Sequence, residues 1–193
     1  MENLKYGLLD DKLVHIDDVE KGLACNCRCP HCKGQLIAKK GSNNVKHFAH
    51  YKLTDCNHGT ETALHLMAKS IVEQTRKIFV PYLPKTEYDF SNNGEIWVFD
   101  KAILEKQLSN NIRGDVVLYT GERYLNVEIK VTHAVDRQKY IELFNLGIAT
   151  IEVDLSDMRS SFTLEMVKKQ LLNKNRIQLI NAPKRKEIFA KRI

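Results

Sequence analysis

Four of the five cysteines fall in one eight-residue run, Cys25 to Cys32, written CNCRCPHC. A thiol cluster that dense leaves the local chain two outcomes, crosslinks or a shared metal. The opening residues, MENLKYGLLDDK, carry acids where a secretory signal would carry a basic stretch and then an apolar one. The chain therefore reads as cytoplasmic, where clustered thiols hold metal rather than disulfides. Cys29-Pro-His-Cys32 is a CxxC knuckle, and a structural zinc takes four Cys or His ligands in a tetrahedron. His47, His50 and Cys56 lie downstream to complete it. The expected Zn²⁺ set is Cys29, Cys32, His50 and Cys56, with Cys27 and His47 as rival ligands and Cys25 a weaker one. His31 and His58 read as non-ligands, and His15 and His133 as plain polar residues.

The chain has 193 residues, 43% hydrophobic and 28% charged, in the ordinary range for a soluble globular protein. No apolar run reaches the roughly 18 residues of a membrane span, so no membrane partner is expected. The net charge of +6 is unevenly spread. Residues 168 to 193 hold nine Lys or Arg against one acid, and the remaining 21 bases face 23 acids. A basic tail on a near-neutral body suits a polyanion such as nucleic acid.

Residues 1 to 24 alternate weakly and read as a short hairpin. QLIAKKG reads as a strand and turn, and HFAHYKLTDCNHG as a loop. The clearest helix covers residues 60 to 79, with Leu64, Met67, Ile71 and Ile78 as its apolar stripe. A hairpin is expected over TEYDF-SNNG-EIWVF, turning at Asn93-Gly94. Residues 101 to 111 carry no clear pattern. A second hairpin spans 114 to 131, turning near Gly121. Residues 136 to 147 read as a helix ending at Gly147, 148 to 155 as a buried strand, and 162 to 179 as a helical tail. Helices alternating with strands imply an α/β or α+β fold with a mixed sheet.

The second hairpin, GDVVLYTGERYLNVEIK, holds Asp115, Glu128 and Lys130 among apolar neighbours. A two-residue turn at Gly121-Glu122 sets Tyr119 opposite Tyr124 and Asp115 opposite Glu128. Opposed residues share one face with Cβ atoms about 5 Å apart, and Lys130 shares it by the two-residue period. Opposed carboxylates repel unless a cation lies between them. Mg²⁺ or Mn²⁺ is held by one or two carboxylates, with water and phosphate completing the shell, and a lysine beside them can steady the attacking water. The bland alternative is a solvated strand face. Glu61, His65 and Lys69 recur at helical spacing on one side of the first helix. Glu61 would offer a third carboxylate, and His65 a base or phosphate contact.

The ordered segments CPHC, LIAKKG, HFAH, ETALH and then GDVVLY, VEIKVTHAVDRQKYIELFNLGIATIEVDLS resemble the competence protein CoiA-like family over about residues 20 to 156. The resemblance implies a PD-(D/E)XK nuclease with a restriction-endonuclease-like core and an N-terminal zinc-finger-like region. Matched by position, Glu61, Asp115, Glu128 and Lys130 surround Mg²⁺. Lys139 is a second candidate lysine, which leaves open which lysine serves catalysis, and Arg113-Gly114-Asp115 replaces the Pro-Asp of the family name. The expected division is a zinc module over 1–58, a nuclease-like core over 59–160 and a basic helical extension over 161–193. The expected activity is metal-dependent hydrolysis of DNA. The alternative is an inactive nuclease fold that only binds nucleic acid.

Overall fold

A computed structural model describes residues 4–42, 44–52, 55–82 and 93–182. The chain divides into two compact units, Met1–Met67 with Asp157–Phe162, and Ala68–Ser156 with Thr163–Ile193.

The first unit is small and its core is built around sulfur. Strands β1 (Tyr6–Leu9) and β2 (Lys12–His15) form an antiparallel hairpin. Its two-residue turn is Asp10-Asp11, both in the left-handed region at φ 48° and 60°. Aspartate tolerates that conformation, which matches the twist of a tight hairpin. Strands β3 (Leu36–Lys39) and β4 (His47–His50) form a second antiparallel pair. HFAH is thus a strand rather than the expected loop. Alternation explains it, because Phe48 is buried and pairs with Ala38 while its neighbours carry the polar work. Cys25, Cys27, Cys29, Leu36, Ala38 and Phe48 pack with Leu4 and Ile16 into one core.

Helix α1 (Gly59–Thr75) buries Ala63, Leu64, Met67, Ala68, Ile71 and Val72, an i, i+1, i+4 stripe. It stops earlier than its apolar pattern suggests, because Arg76 turns left-handed at φ 53°. Ile78, expected on the helix, lies instead in β5 (Lys77–Pro81), fully buried. β5 pairs with β6 (Gly94–Val98). The strand expected over residues 86–90 lies outside the described residues.

The second unit is organised by a five-stranded mixed sheet. β7 (Lys101–Gln107), β8 (Arg113–Thr120) and β9 (Arg123–Lys130) run antiparallel in sequence. Helix α2 (Arg137–Asn145) crosses over, and β10 (Thr150–Asp154) returns parallel to β9. After α3 (Leu164–Leu171), β11 (Ile177–Asn181) closes the edge antiparallel to β10. The tail is therefore only partly helical, since its last described segment is a sheet strand. Residues 183–193, with most of the basic run, lie outside the described residues. No helix among the described residues is long and apolar enough to cross a membrane.

The β8–β9 register pairs Tyr119 with Tyr124 and Val116 with Val127, as the turn residues require. The same strands approach closely at their site end. A Cβ at Gly114 would meet Asn126 Oδ1 at 2.1 Å and Leu108 Cδ1 at 3.1 Å. Gly114→Ala should therefore destabilise the protein by about 1–3 kcal/mol, read as a lower urea midpoint with unchanged slope.

Candidate functional site

In the first unit, Cys29, Cys32, His50 and Cys56 bring their donor atoms within 4.8 Å of one another. Cys29 Sγ lies 3.8 Å from Cys56 Sγ, and Cys32 Sγ lies 3.3 Å from His50 Nε2. A tetrahedral zinc with Zn–S of about 2.3 Å sets S···S edges at about 3.8 Å, so the donor set fits the ion. Burial pushes the Cys29 thiol up to about 12. Cys32 lies below the ordinary thiol value, where burial is outweighed by the Gly34 backbone N–H and the Cys56 and Cys29 thiols. A cation shared by the set would hold both as thiolates. The rival ligands point elsewhere. Cys27 is fully buried and donates to the Cys25 carbonyl, and burial raises its thiol to about 12. Cys25 faces the Leu36 carbonyl. His47 Nδ1 lies 2.8 Å from the Val45 carbonyl, and strand alternation turns it away from the face of His50.

The second unit gathers acids from four neighbouring strands: Glu105 on β7, Asp115 on β8, Glu128 on β9 and Glu152 on β10. Glu128 is 5% exposed. Its Oε1 accepts from Asn126 Nδ2 at 2.9 Å and its Oε2 from Lys139 Nζ at 2.6 Å. Lys139 comes from the first turn of α2 and also donates to the Arg113 carbonyl at 3.2 Å. Burial raises the Glu128 carboxyl above its ordinary value and Asp115 raises it further, while Lys139 and Asn126 pull it back.

Backbone pairing of β8 with β9 stops at Val116, and the Asp115 carboxylate takes over. Its Oδ2 accepts the Ile129 N–H at 2.9 Å, and its Oδ1 lies 3.9 Å from Lys69 Nζ. Lys69, buried on α1, also pairs with Glu105, which in turn meets Arg113 at 3.0 Å. Asn126 Oδ1 is buried with no hydrogen-bond partner. A cavity of about 190 Å³ opens beside Glu128, lined in part by Lys130, His133, Asp136, Lys139 and Glu152.

Lys130 is engaged elsewhere, on Asp154 at 2.6 Å. Burial works against ionising Asp154, but Lys130 and both the hydroxyl and N–H of Ser156 hold it at about 2. Glu61 and His65 lie on the part of α1 that belongs to the first unit, where Glu61 is 3.3 Å from His58. Sequence reasoning missed Glu105, Asn126 and Glu152. The last two had a signal, since each is a polar residue inside a strand otherwise buried on both faces.

Residues 15–59 match the family model for the competence protein CoiA N-terminal domain. The match covers less than a quarter of the chain. None of the curated proteins matches, and neither does any solved structure. The matched segment holds all four donors of the cluster, Cys29, Cys32, His50 and Cys56.

Two outcomes follow for this chain. Metal analysis should find about one zinc per chain, lost in Cys29→Ser and His50→Ala but kept in His47→Ala and Cys27→Ala. Asp154 has a folded pKa below its ordinary 3.8, so the stability it adds is complete above that value and is lost as pH falls through about 2. Asp154→Asn should flatten this acid limb in urea unfolding.

Proposed function

We propose that the second unit hydrolyses phosphodiester bonds of nucleic acid, most favourably DNA, with a hard divalent cation at Asp115 and Glu128, in the PD-(D/E)XK manner that the family resemblance implies. The observation that carries this is the pair itself: two carboxylates on adjacent strands, one of them buried, with Asp115 raising the pKa of Glu128. Such crowding favours a cation. The donor chemistry fits Mg²⁺ or Mn²⁺, which need only one or two carboxylates and prefer oxygen. When bound, the cation supplies Lewis acidity toward the phosphate and lowers the pKa of a water.

The remaining roles belong to side chains. Asn126 fixes the Glu128 carboxylate by its amide N–H. Lys69 balances Asp115 and Glu105. Lys139, already hydrogen-bonded to Glu128, is the amine suited to orient the attacking water or meet the phosphate. Lys130 ties β9 to β10 through Asp154 and steadies the strand that carries Glu128. This assigns the catalytic lysine to α2 rather than to the Glu-x-Lys position. Glu61 and His65 enter through the family resemblance alone. The zinc set serves as a structural clamp, and the basic run from Lys168 onward, including Lys169, Lys174 and Arg176, suits the phosphate backbone.

The test is cleavage of labelled single- and double-stranded DNA with Mg²⁺, Mn²⁺ or EDTA. Asp115→Ala and Glu128→Ala should each lower the rate by about 10²-fold or more, and Lys139→Ala should cost more activity than Lys130→Ala. Cleavage that survives EDTA, or both acid variants, would sink the mechanism. Binding without cleavage under every condition would favour an inactive nuclease fold that holds nucleic acid. In either case added salt should weaken binding.

A further inference from the structure

Among the described residues, Glu152 is the most deeply buried acid of the second unit, 1% exposed in the middle of β10. Its register partner on parallel β9 is Glu128, so two carboxylates lie side by side in the sheet interior. Nothing about stability favours that choice. Ile151 and Val153 on either side are fully buried, like charges on neighbouring strands repel, and a buried carboxylate is expensive without compensation. An apolar residue would fill the space more cheaply.

The compensation shows what the carboxylate is for. Oε1 accepts from Gln178 Nε2 on β11 at 2.8 Å, and Oε2 accepts the Val135 backbone N–H at 2.7 Å. Both donors are neutral. Val135 immediately precedes Asp136, the N-cap of α2, whose Oδ1 accepts the Lys139 backbone N–H at 2.9 Å. Lys139 then reaches Glu128 Oε2. A single chain of contacts thus runs from β11 through Glu152 and the helix cap to the lysine at the acid pair.

We propose that Glu152 is a positioning residue, which fixes the start of α2 on the sheet and thereby sets Lys139 against Glu128. It acts as a hydrogen-bond acceptor, so its charge is dispensable and its oxygen is not. This rests on Lys139 serving the proposed nuclease site, but it can be tested without activity.

The first measurement is reactivity of the Lys139 amine toward reductive methylation near neutral pH, read by mass spectrometry on the folded, zinc-loaded protein. Glu152→Ala should raise the labelling several-fold, and Glu152→Gln, whose amide oxygen can still accept the Val135 N–H, should leave it near wild type. Val135→Pro removes the donor while keeping Glu152, and should mimic Glu152→Ala; it serves where the alanine variant does not fold. Equal Lys139 labelling in wild type and in whichever of these variants folds would overturn the proposal, as would a Glu152→Gln effect as large as that of alanine. A merely structural Glu152 would lower the melting temperature without altering Lys139 at temperatures well below it. Where wild type cleaves DNA, Glu152→Ala should also lower kcat by about tenfold with KM little changed, and a purely KM effect would count against positioning. If wild type does not cleave, the nuclease proposal fails while the labelling result still decides the role of Glu152.

Discussion

A carboxylate buried inside a sheet has to be supplied with donors, and Glu128 draws them from two directions. Asn126 on its own strand gives one, Lys139 on the crossover helix gives another, and Asp115 on the neighbouring strand makes the need sharper by adding like charge. Much of the second unit can be understood as meeting this demand. β9 and β10 are locked together at Lys130–Asp154. Gly114 makes room for the Asn126 amide. The short helix α2 buries little of its own surface beyond Leu143, so its position depends on caps and tethers more than on packing.

The first unit meets a different constraint. Two hairpin-like pairs and a few 3₁₀ turns enclose a core in which three of the buried members are cysteines. A core that small gains little from apolar burial alone. A zinc held by Cys29, Cys32, His50 and Cys56 would crosslink the knuckle to β4 and to the segment entering α1. With the Cys29 thiol raised by burial, a metal held there would have to displace its proton.

The hairpin around Gly121 was legible because a two-residue turn and a two-residue period leave little freedom, and the register from Tyr119–Tyr124 to Val116–Val127 is the one that the turn dictates. The four donors of the Cys/His cluster were legible by spacing, and the strand that HFAH forms separates His50 from its rival His47. Three features resisted reading. The left-handed Arg76 ends α1 without a glycine or proline to announce it. The segment 101–107, KAILEKQ, hides a strand because its charges follow no two-residue alternation and its edge position leaves it largely wet. The tail looked helical because RIQLIN is a short strand whose pairing is non-local, with β10. The preference for Lys139 over Lys130 could not come from spacing, since it depends on which acid each long side chain reaches.

β11 does more than finish the sheet. Besides the Gln178 contact, its Asn181 amide donates to the carbonyls of Leu143 at 3.0 Å and Ile148 at 2.9 Å, just where α2 ends. The helix that bears Lys139 is therefore moored at both ends to elements that follow it in the chain. During synthesis the acids on β8 and β9 emerge first, and the moorings of the helix come last. A nascent chain would thus hold the acids of β8 and β9 together with Lys69 and Asn126 before Lys139 was fixed, and the helix would be moored at both ends only after the ribosome had delivered residue 181.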